Sequence, residues 1–255
     1  MKTVLFTMED SFFTYSILNR LVKDNIRFSM IIFLDNPSIT LKRIFTLFVV
    51  YGPINFFEIL FSYLWWNMYK GGRVKSLFES HGMECKTYTK AQLNSIIDLM
   101  ENIAPDLIIS VNCNVRLPQV LLEKAKYGGI NLHQGTLPFY KGLMPIFYSQ
   151  LAGEKKVGST IHIMNSQFDS GAILIHNEID ILPGENYLEI LKKLNIVGSS
   201  NLTKVISYFN KNRMLPSSFN QETIGNYYSL PSPKLVMRYF IIQLKNKILR
   251  IMKVF

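Results

Sequence analysis

The chain has 255 residues, 48% of them apolar, enough to bury one α/β body with an extension or two small domains, and enough to exclude global disorder. Two cysteines are too few for a disulfide framework and point to a reducing, cytoplasmic setting. The net charge of +10 is lopsided, because residues 211–255 hold eight Lys and Arg residues against Glu222 alone.

Taken in chain order, residues 3–8 form a short apolar run that soon meets Glu9 and Asp10. That is too short and too acidic for a signal peptide and reads as a first buried strand. A helix is expected over 11–23 and a second strand over 28–34, closed by Asp35-Asn-Pro. An apolar stretch follows from Arg43 to Tyr69, with Glu58 its only charge after Arg43. It is long enough for a membrane span of about 20 residues. However, Gly52-Pro53 divides it, and Glu58 near its centre would be costly in lipid. Two helices are expected, 40–50 and 54–69, packed on the body or lying against a membrane face. A strand over 84–88, a helix over 91–102 and a buried strand over 106–111 come next. The polar loop Asn112–Arg116 and a helix from Pro118 to 125 lead through Gly128-Gly129 to a strand over 130–133. Residues 144–153 read as a helix, 157–164 and 172–179 as strands, and 185–210 as a long helix. The tail contains Tyr227–Pro233 and an amphipathic basic helix over 234–255. Alternating strands and helices predict an α/β fold with a largely parallel sheet.

Asn131 and His133 alternate along one strand, so an amide and an imidazole project from the same face at its carboxyl end, where open α/β sheets bind ligands. Asp169 lies in a loop between two apolar strands and could return beside that strand end. There it would orient His133 and favour its charged form. Amide, imidazole and carboxylate together suit a reaction in which negative charge develops on a carbonyl oxygen. No Ser or Cys in these segments has the setting of an activated nucleophile, so the attacking group would come from a substrate. On the residues alone, a structural histidine explains His133 equally well. His162 and His176 fall inside strands and are assigned structural roles, and His81 a solvated loop. No metal-ligand spacing and no Gly-rich nucleotide loop is found, so neither a metal nor a dinucleotide is expected.

The stretch Gly129-Ile-Asn-Leu-His-Gln-Gly-Thr-Leu-Pro-Phe-Tyr-Lys-Gly142, followed by Pro145, resembles the signature of the folate-dependent formyltransferase family. So do Gly158–Met164 and Phe168–Leu174, at the expected separation. The resemblance is clearest over about 105–180 and implies a Rossmann-like formyltransferase fold. That fold is a mostly parallel twisted sheet flanked by helices, here with a hydrophobic helical insertion and a basic helical tail. It implies a catalytic domain over 1–210, with the insertion at about 40–72, and an extension over 211–255.

It further implies catalysis by Asn131, His133 and Asp169, with 10-formyltetrahydrofolate as donor. The donor's pterin would lie against Asn112, Asn114, Val115, Arg116 and Leu117 and against Gln167 and Phe168. The acceptor is expected near Gly135, Thr136, Pro138, Tyr140, Lys141 and Gly142. The family's usual His-x-Ser-Leu-Leu-Pro reads His133-Gln-Gly-Thr-Leu-Pro138 here, and its acidic pair before the Asp loop reads Asn165-Ser166. The glycine usual after the first strand is absent from Thr7-Met-Glu-Asp10, and the insertion is longer and more apolar than usual.

The implied acceptor is the amine of an amino sugar, on a nucleotide diphosphate, in surface polysaccharide synthesis. Methionyl-tRNA and glycinamide ribonucleotide are the alternatives, and a non-catalytic folate-fold binding or scaffold protein stands as a reading of another class. Nucleic acid is not the expected partner. The segments 40–70 and 234–255 suggest peripheral contact with the inner membrane face or a homodimer contact.

Overall fold

Four short pentapeptides, three of them largely apolar, too short for helices and bounded by turns, become the centre of a sheet. They are β1 (Thr3–Thr7), β2 (Met30–Leu34), β4 (Leu107–Val111) and β5 (Gly129–His133). In the computed structural model, which describes all residues except 10–12, 35–39, 71, 114, 222–224 and 253–255, these strands run parallel. β3 (Cys85–Tyr88) joins one edge in parallel. β7 (Lys156–Ile163) and β8 (Ile173–Asp180) extend the other edge antiparallel, giving the order β3-β2-β1-β4-β5-β7-β8. The expected mostly parallel, helix-flanked sheet is the one observed.

Both faces of the central strands are covered, as continuous apolar strands require. Leu5, Ile31 and Ile109 pack toward α1 (Phe13–Lys23) and α8 (Tyr187–Asn212). Val4, Phe6, Ile32 and Ile108 pack toward α5 (Leu93–Ile103) and the short α6 (Gln119–Leu122). α4 (Arg73–Glu79) adds Val74 and Phe78 to the first cluster. α8 starts on a capping box: the Asn186 side chain accepts from the Leu188 and Glu189 N–H groups, and Glu189 accepts from the Asn186 N–H. The expected helix over 11–23 begins on residues outside the described set, as does the closing Asp35-Asn-Pro.

The apolar insertion forms α2 (Leu41–Tyr51) and α3 (Pro53–Lys70), divided at Gly52 with φ +77° and at Pro53. α2 buries Thr46 and Val50, whereas α3 has no fully buried residue among those described. No described helix is long and apolar enough to cross a membrane.

The tail is bound more tightly to the body than its sequence suggests. β6 (Tyr140–Gly142) and β9 (Asn226–Tyr228) form a small parallel sheet of their own. Phe219 bridges to Ile173 beside β8. α9 (Pro233–Met252) buries Val236 and Tyr239 in a third core, shared with α2, α7 (Pro145–Ala152) and α8. The Tyr239 hydroxyl donates to Gln150 Oε1 at 2.7 Å, and the Gln150 amide donates to the Glu185 carbonyl. Removing a buried aromatic of this kind costs about 3–5 kcal/mol. Tyr239→Ala is therefore expected to lower unfolding free energy by that amount in urea titration, while Tyr239→Phe loses only the hydrogen bond, about 1 kcal/mol.

Candidate active site

Strand order reverses about β1, whose neighbours β2 and β4 lead off in opposite directions, and the carboxyl ends of β1, β4 and β5 open into one cleft. This is where open α/β sheets hold ligands. The cleft has a volume of about 460 Å³, within the range of small-molecule sites. A hollow of similar size near Leu182 and Lys193 is walled mainly by the Glu185–Lys193 ion pair and gathers none of the residues that point to chemistry.

The polar centre is built by register. Asn131 on β5 pairs across the antiparallel ladder with His162 on β7, and His133 pairs with Thr160. Asn131 Nδ2 lies 3.1 Å from His162 Nε2, whose ring stands 3.4 Å from Asp169 Oδ1. His133 Nδ1 stands 3.6 Å from Asp169 Oδ2, and its Nε2–H donates to the Tyr140 carbonyl at 2.7 Å. The structure thus brings Asn131, His133 and Asp169 together, and adds His162. The ring of His162, expected to be structural, is 2% exposed and touches two of the three polar groups. The antiparallel pairing of β5 and β7, which a largely parallel reading leaves out, is what places it there. His176 stays outside, between Thr160 and Glu178.

Asp169 is 8% exposed and sits at φ +51°, in the left-handed region that Asp tolerates better than most residues. Its Oδ2 accepts the Gly142 N–H at 2.7 Å. Gly142 must be glycine, since φ is +88° and a Cβ would run into the Tyr228 carbonyl and the Tyr227 ring. Behind the loop, Gln221 from the tail donates to the Asp169 and Gly171 carbonyls at 3.0 and 2.8 Å. Burial pushes the Asp169 carboxyl up, but the charge of His133, the hydrogen bond and charge of His162 and the Gly142 N–H outweigh it. The group ends well below the usual carboxylate range and is ionised at neutral pH.

The two loops expected at the pterin line one end of the cleft. Asn112, Val115, Arg116 and Leu117 face Gln167 and Phe168 across it, while Asn114 lies outside the described residues. The Arg116 guanidinium stands over the Phe168 ring, 5.9 Å from its centroid, so the sides meet through a cation–π contact. Asn165 organises its own loop by accepting from the Gln167 N–H and the Ser170 hydroxyl, a role that needs no acidic pair. Asn112, at φ +52°, donates to Thr14 at 2.6 Å. Burial pushes the Cys113 thiol up to about 11, so this cleft cysteine offers no thiolate.

Of the loop expected at the acceptor, only Gly142 lines the cleft. Gly135, Thr136, Pro138, Tyr140 and Lys141 do not line it. Gly135 is pressed against the site's own wall: a Cβ there would come 2.5 Å from His133 Nε2 and 2.7 Å from Pro145 Cβ. Tyr140 is spent on structure, its hydroxyl donating to Glu154 and its ring stacking on Tyr228. Gln134, Leu143, Met144 and Pro145 take their place. Sequence reasoning also missed six further lining residues: Arg43, Leu47 and Tyr51 of α2, Asn195 of α8, and Tyr227 and Leu230 of the tail. The four-residue spacing of Arg43, Leu47 and Tyr51 marks one face of α2 and is the one signal that could have found them.

Residues 70–206 match the family described as formyl transferase. Methionyl-tRNA formyltransferase of Geotalea uraniireducens is 30% identical over 142 residues, 56% of this chain and 45% of that protein. The chain spans about half the length of the curated relatives it matches. Among solved structures, glycinamide ribonucleotide transformylase 1 from Symbiobacterium toebii superposes with a TM-score of 0.63 at 13% identity, covering 87% of this chain and 95% of that one. A sugar N-formyltransferase from a Shewanella species gives 0.60 at 18% identity, covering 96% and 88%. At these identities the structural likeness speaks for the fold.

Hydrogen bonds to a buried charge contribute about 1.5–3 kcal/mol each. Asp169→Asn is expected to lower stability by about 2 kcal/mol near neutral pH. The folded pKa lies below the unfolded value, so this stabilisation is complete above about pH 4 and is lost as pH falls through the lower folded value. Urea unfolding of both proteins across acid pH should show the gap closing below about pH 4.

Proposed function

The chain belongs to the formyl transferase family, and on that premise we propose that its cleft moves a formyl group from 10-formyltetrahydrofolate to the amine of an amino sugar. The observation that carries the reading is the convergence of Asn131, His133 and an ionised Asp169 at the end of β5, beside a groove flanked by Arg116 and Phe168. In this proposal the groove holds the pterin, with Arg116 and Phe168 against its faces and the backbone of 115–117 and 165–168 reading its edge.

The residues divide the work as follows. Asn131 lies against His162 and turns an amide hydrogen to the oxygen of the formyl group under attack. His162 holds both groups in place: its Nε2 lies 3.1 Å from the Asn131 amide nitrogen and 3.4 Å from Asp169 Oδ1. His133 supplies positive charge beside the developing oxyanion. Both its nitrogens already face protein acceptors, so a direct bond to the substrate requires it to release the Tyr140 carbonyl. Asp169 holds both rings and takes part, through water, in removing the proton from the attacking amine. The amine nitrogen bonds to the formyl carbon, the bond from that carbon to N10 breaks, and N10 leaves with its electron pair and a proton. Tetrahydrofolate and a formamide are the products. No protein nucleophile is used.

The far end of the cleft supports a sugar acceptor. Gln134 lines it with an amide held on Asn195, Tyr51 and Tyr227 add aromatic rings, and Arg43 offers a cation to a diphosphate. The name of the curated relatives favours a second reading, methionyl-tRNA as acceptor. Phosphate backbones need a basic track, whereas the outer face of the α2 wall exposes Leu41, Ile44 and Phe45.

Losing one oxyanion donor typically costs about 10²–10³-fold in rate. Asn131→Ala, His133→Ala and Asp169→Ala are each expected to lower kcat at least that far, with tetrahydrofolate release followed by absorbance. A panel of nucleotide-linked amino sugars, methionyl-tRNA and glycinamide ribonucleotide identifies the acceptor. Unchanged turnover by His133→Ala contradicts the mechanism, and turnover with methionyl-tRNA alone replaces the acceptor.

A further inference from the structure

Helices α2, α3 and α9 carry apolar surface that the fold does not bury. On α2, Leu41, Ile44, Phe45 and Phe48 are exposed at the spacing of one helix face. On α3, Ile54, Phe57, Phe61, Trp65 and Met68 repeat every three or four residues, and Ile54 is 83% exposed. On α9, Met237, Phe240, Ile241, Leu244 and Ile248 do the same. The opposite faces of α2 and α9 turn inward through Thr46, Val50, Val236 and Tyr239. α2 packs directly on both α3 and α9, so the helices that carry the three stripes adjoin through α2.

Charge identifies what covers them. At the helical advance of about 100° per residue, Lys234, Arg238 and Lys245 leave α9 on one flank of its stripe and Lys247 on the other. All four are exposed. α2 and α9 contain no acidic residue, and α3 contains only Glu58. A second copy of this chain is a poor occupant. A two-fold contact sets the same patch against itself and brings the basic flanks together with little countercharge. A layer of anionic headgroups over hydrocarbon supplies both the missing negative charge and a place for the stripes.

We propose that α2, α3 and α9 dock this protein in the plane of an anionic membrane surface. No described helix is long and apolar enough to cross, so the contact lies flat. The inner face of α2 carries Arg43, Leu47 and Tyr51 on the cleft wall. Docking therefore holds the cleft within about one helix diameter, ~10 Å, of the lipid. This inference does not depend on which amine is formylated.

The test is cosedimentation of the full chain with phosphatidylcholine vesicles, with and without added phosphatidylglycerol. Binding is expected only to the anionic vesicles and is expected to weaken with salt. The emission of Trp65 should shift to the blue on binding, and Trp65→Phe should remove the shift although Trp66 remains. Each basic side chain near an anionic surface strengthens binding about fivefold. The triple variant Lys234→Glu, Arg238→Glu, Lys245→Glu should bind roughly a hundredfold more weakly or worse, with an unchanged melting temperature. Phe57→Ser with Phe61→Ser should also release the protein. Absence of binding by the folded wild-type chain overturns the proposal, as does equal binding by the triple variant. A dimer in sedimentation equilibrium that Phe57→Ser with Phe61→Ser dissolves, without vesicle binding, assigns the face to a second copy and also overturns it.

Discussion

The Asp169 carboxylate is the point at which separate stretches of the chain meet, and the geometry of the cleft depends on its staying ionised. It receives the Gly142 N–H from β6 and faces the imidazoles of β5 and β7. The backbone carbonyl of the same residue accepts from Gln221 of the tail. A carboxylate this buried is costly unless every oxygen has a partner. Here the partners push its pKa down in spite of burial, so the charge persists. The left-handed backbone at Asp169 and the glycine at 142 are what that single interaction demands of the chain around it. Local strain of this kind concentrates where a site must hold a fixed geometry.

Much of this was legible in the sequence. The apolar pentapeptides announced the parallel strands, the alternation of Asn131 and His133 announced a shared strand face, and the loop bearing Asp169 returned where expected. What the sequence concealed was non-local. β6 and β9 have three residues each and no alternation to recognise, and their pairing is decided by tertiary packing around Tyr140, Tyr148 and Tyr228. Without that pairing, the contacts of Gln221, Tyr227 and Leu230 with the site cannot be read. The contact of His162 with Asn131 and Asp169 follows from an antiparallel register at the edge of a parallel sheet, which the sequence does not display. The loop from Gly135 to Lys141 is expected at the acceptor by motif position, and in the structure Gly135 presses on His133 and the Tyr140 hydroxyl is bound to Glu154, contacts the motif does not display.

Insertion and tail act together in the structure. α2 forms one wall of the cleft, α9 packs against α2, and β9 pins the loop whose Gly142 N–H serves Asp169. A change in the tail is therefore felt at the site through backbone hydrogen bonds and shared core, with no direct contact to the reacting atoms required. The same elements that enclose the cleft present the apolar, basic outer face. The two proposals, an acceptor held at the α2 wall and a face docked on a membrane, therefore rest on one set of helices.

The most direct measurement is a crystal structure with tetrahydrofolate and the formylated product soaked or co-crystallised. The account predicts the pterin between 112–117 and 165–168, N10 turned toward the end of β5, and the product's formyl oxygen within hydrogen-bond distance of Asn131 Nδ2. Tetrahydrofolate bound elsewhere, or a formyl oxygen remote from Asn131 and His133 with Asp169 unchanged, would contradict it.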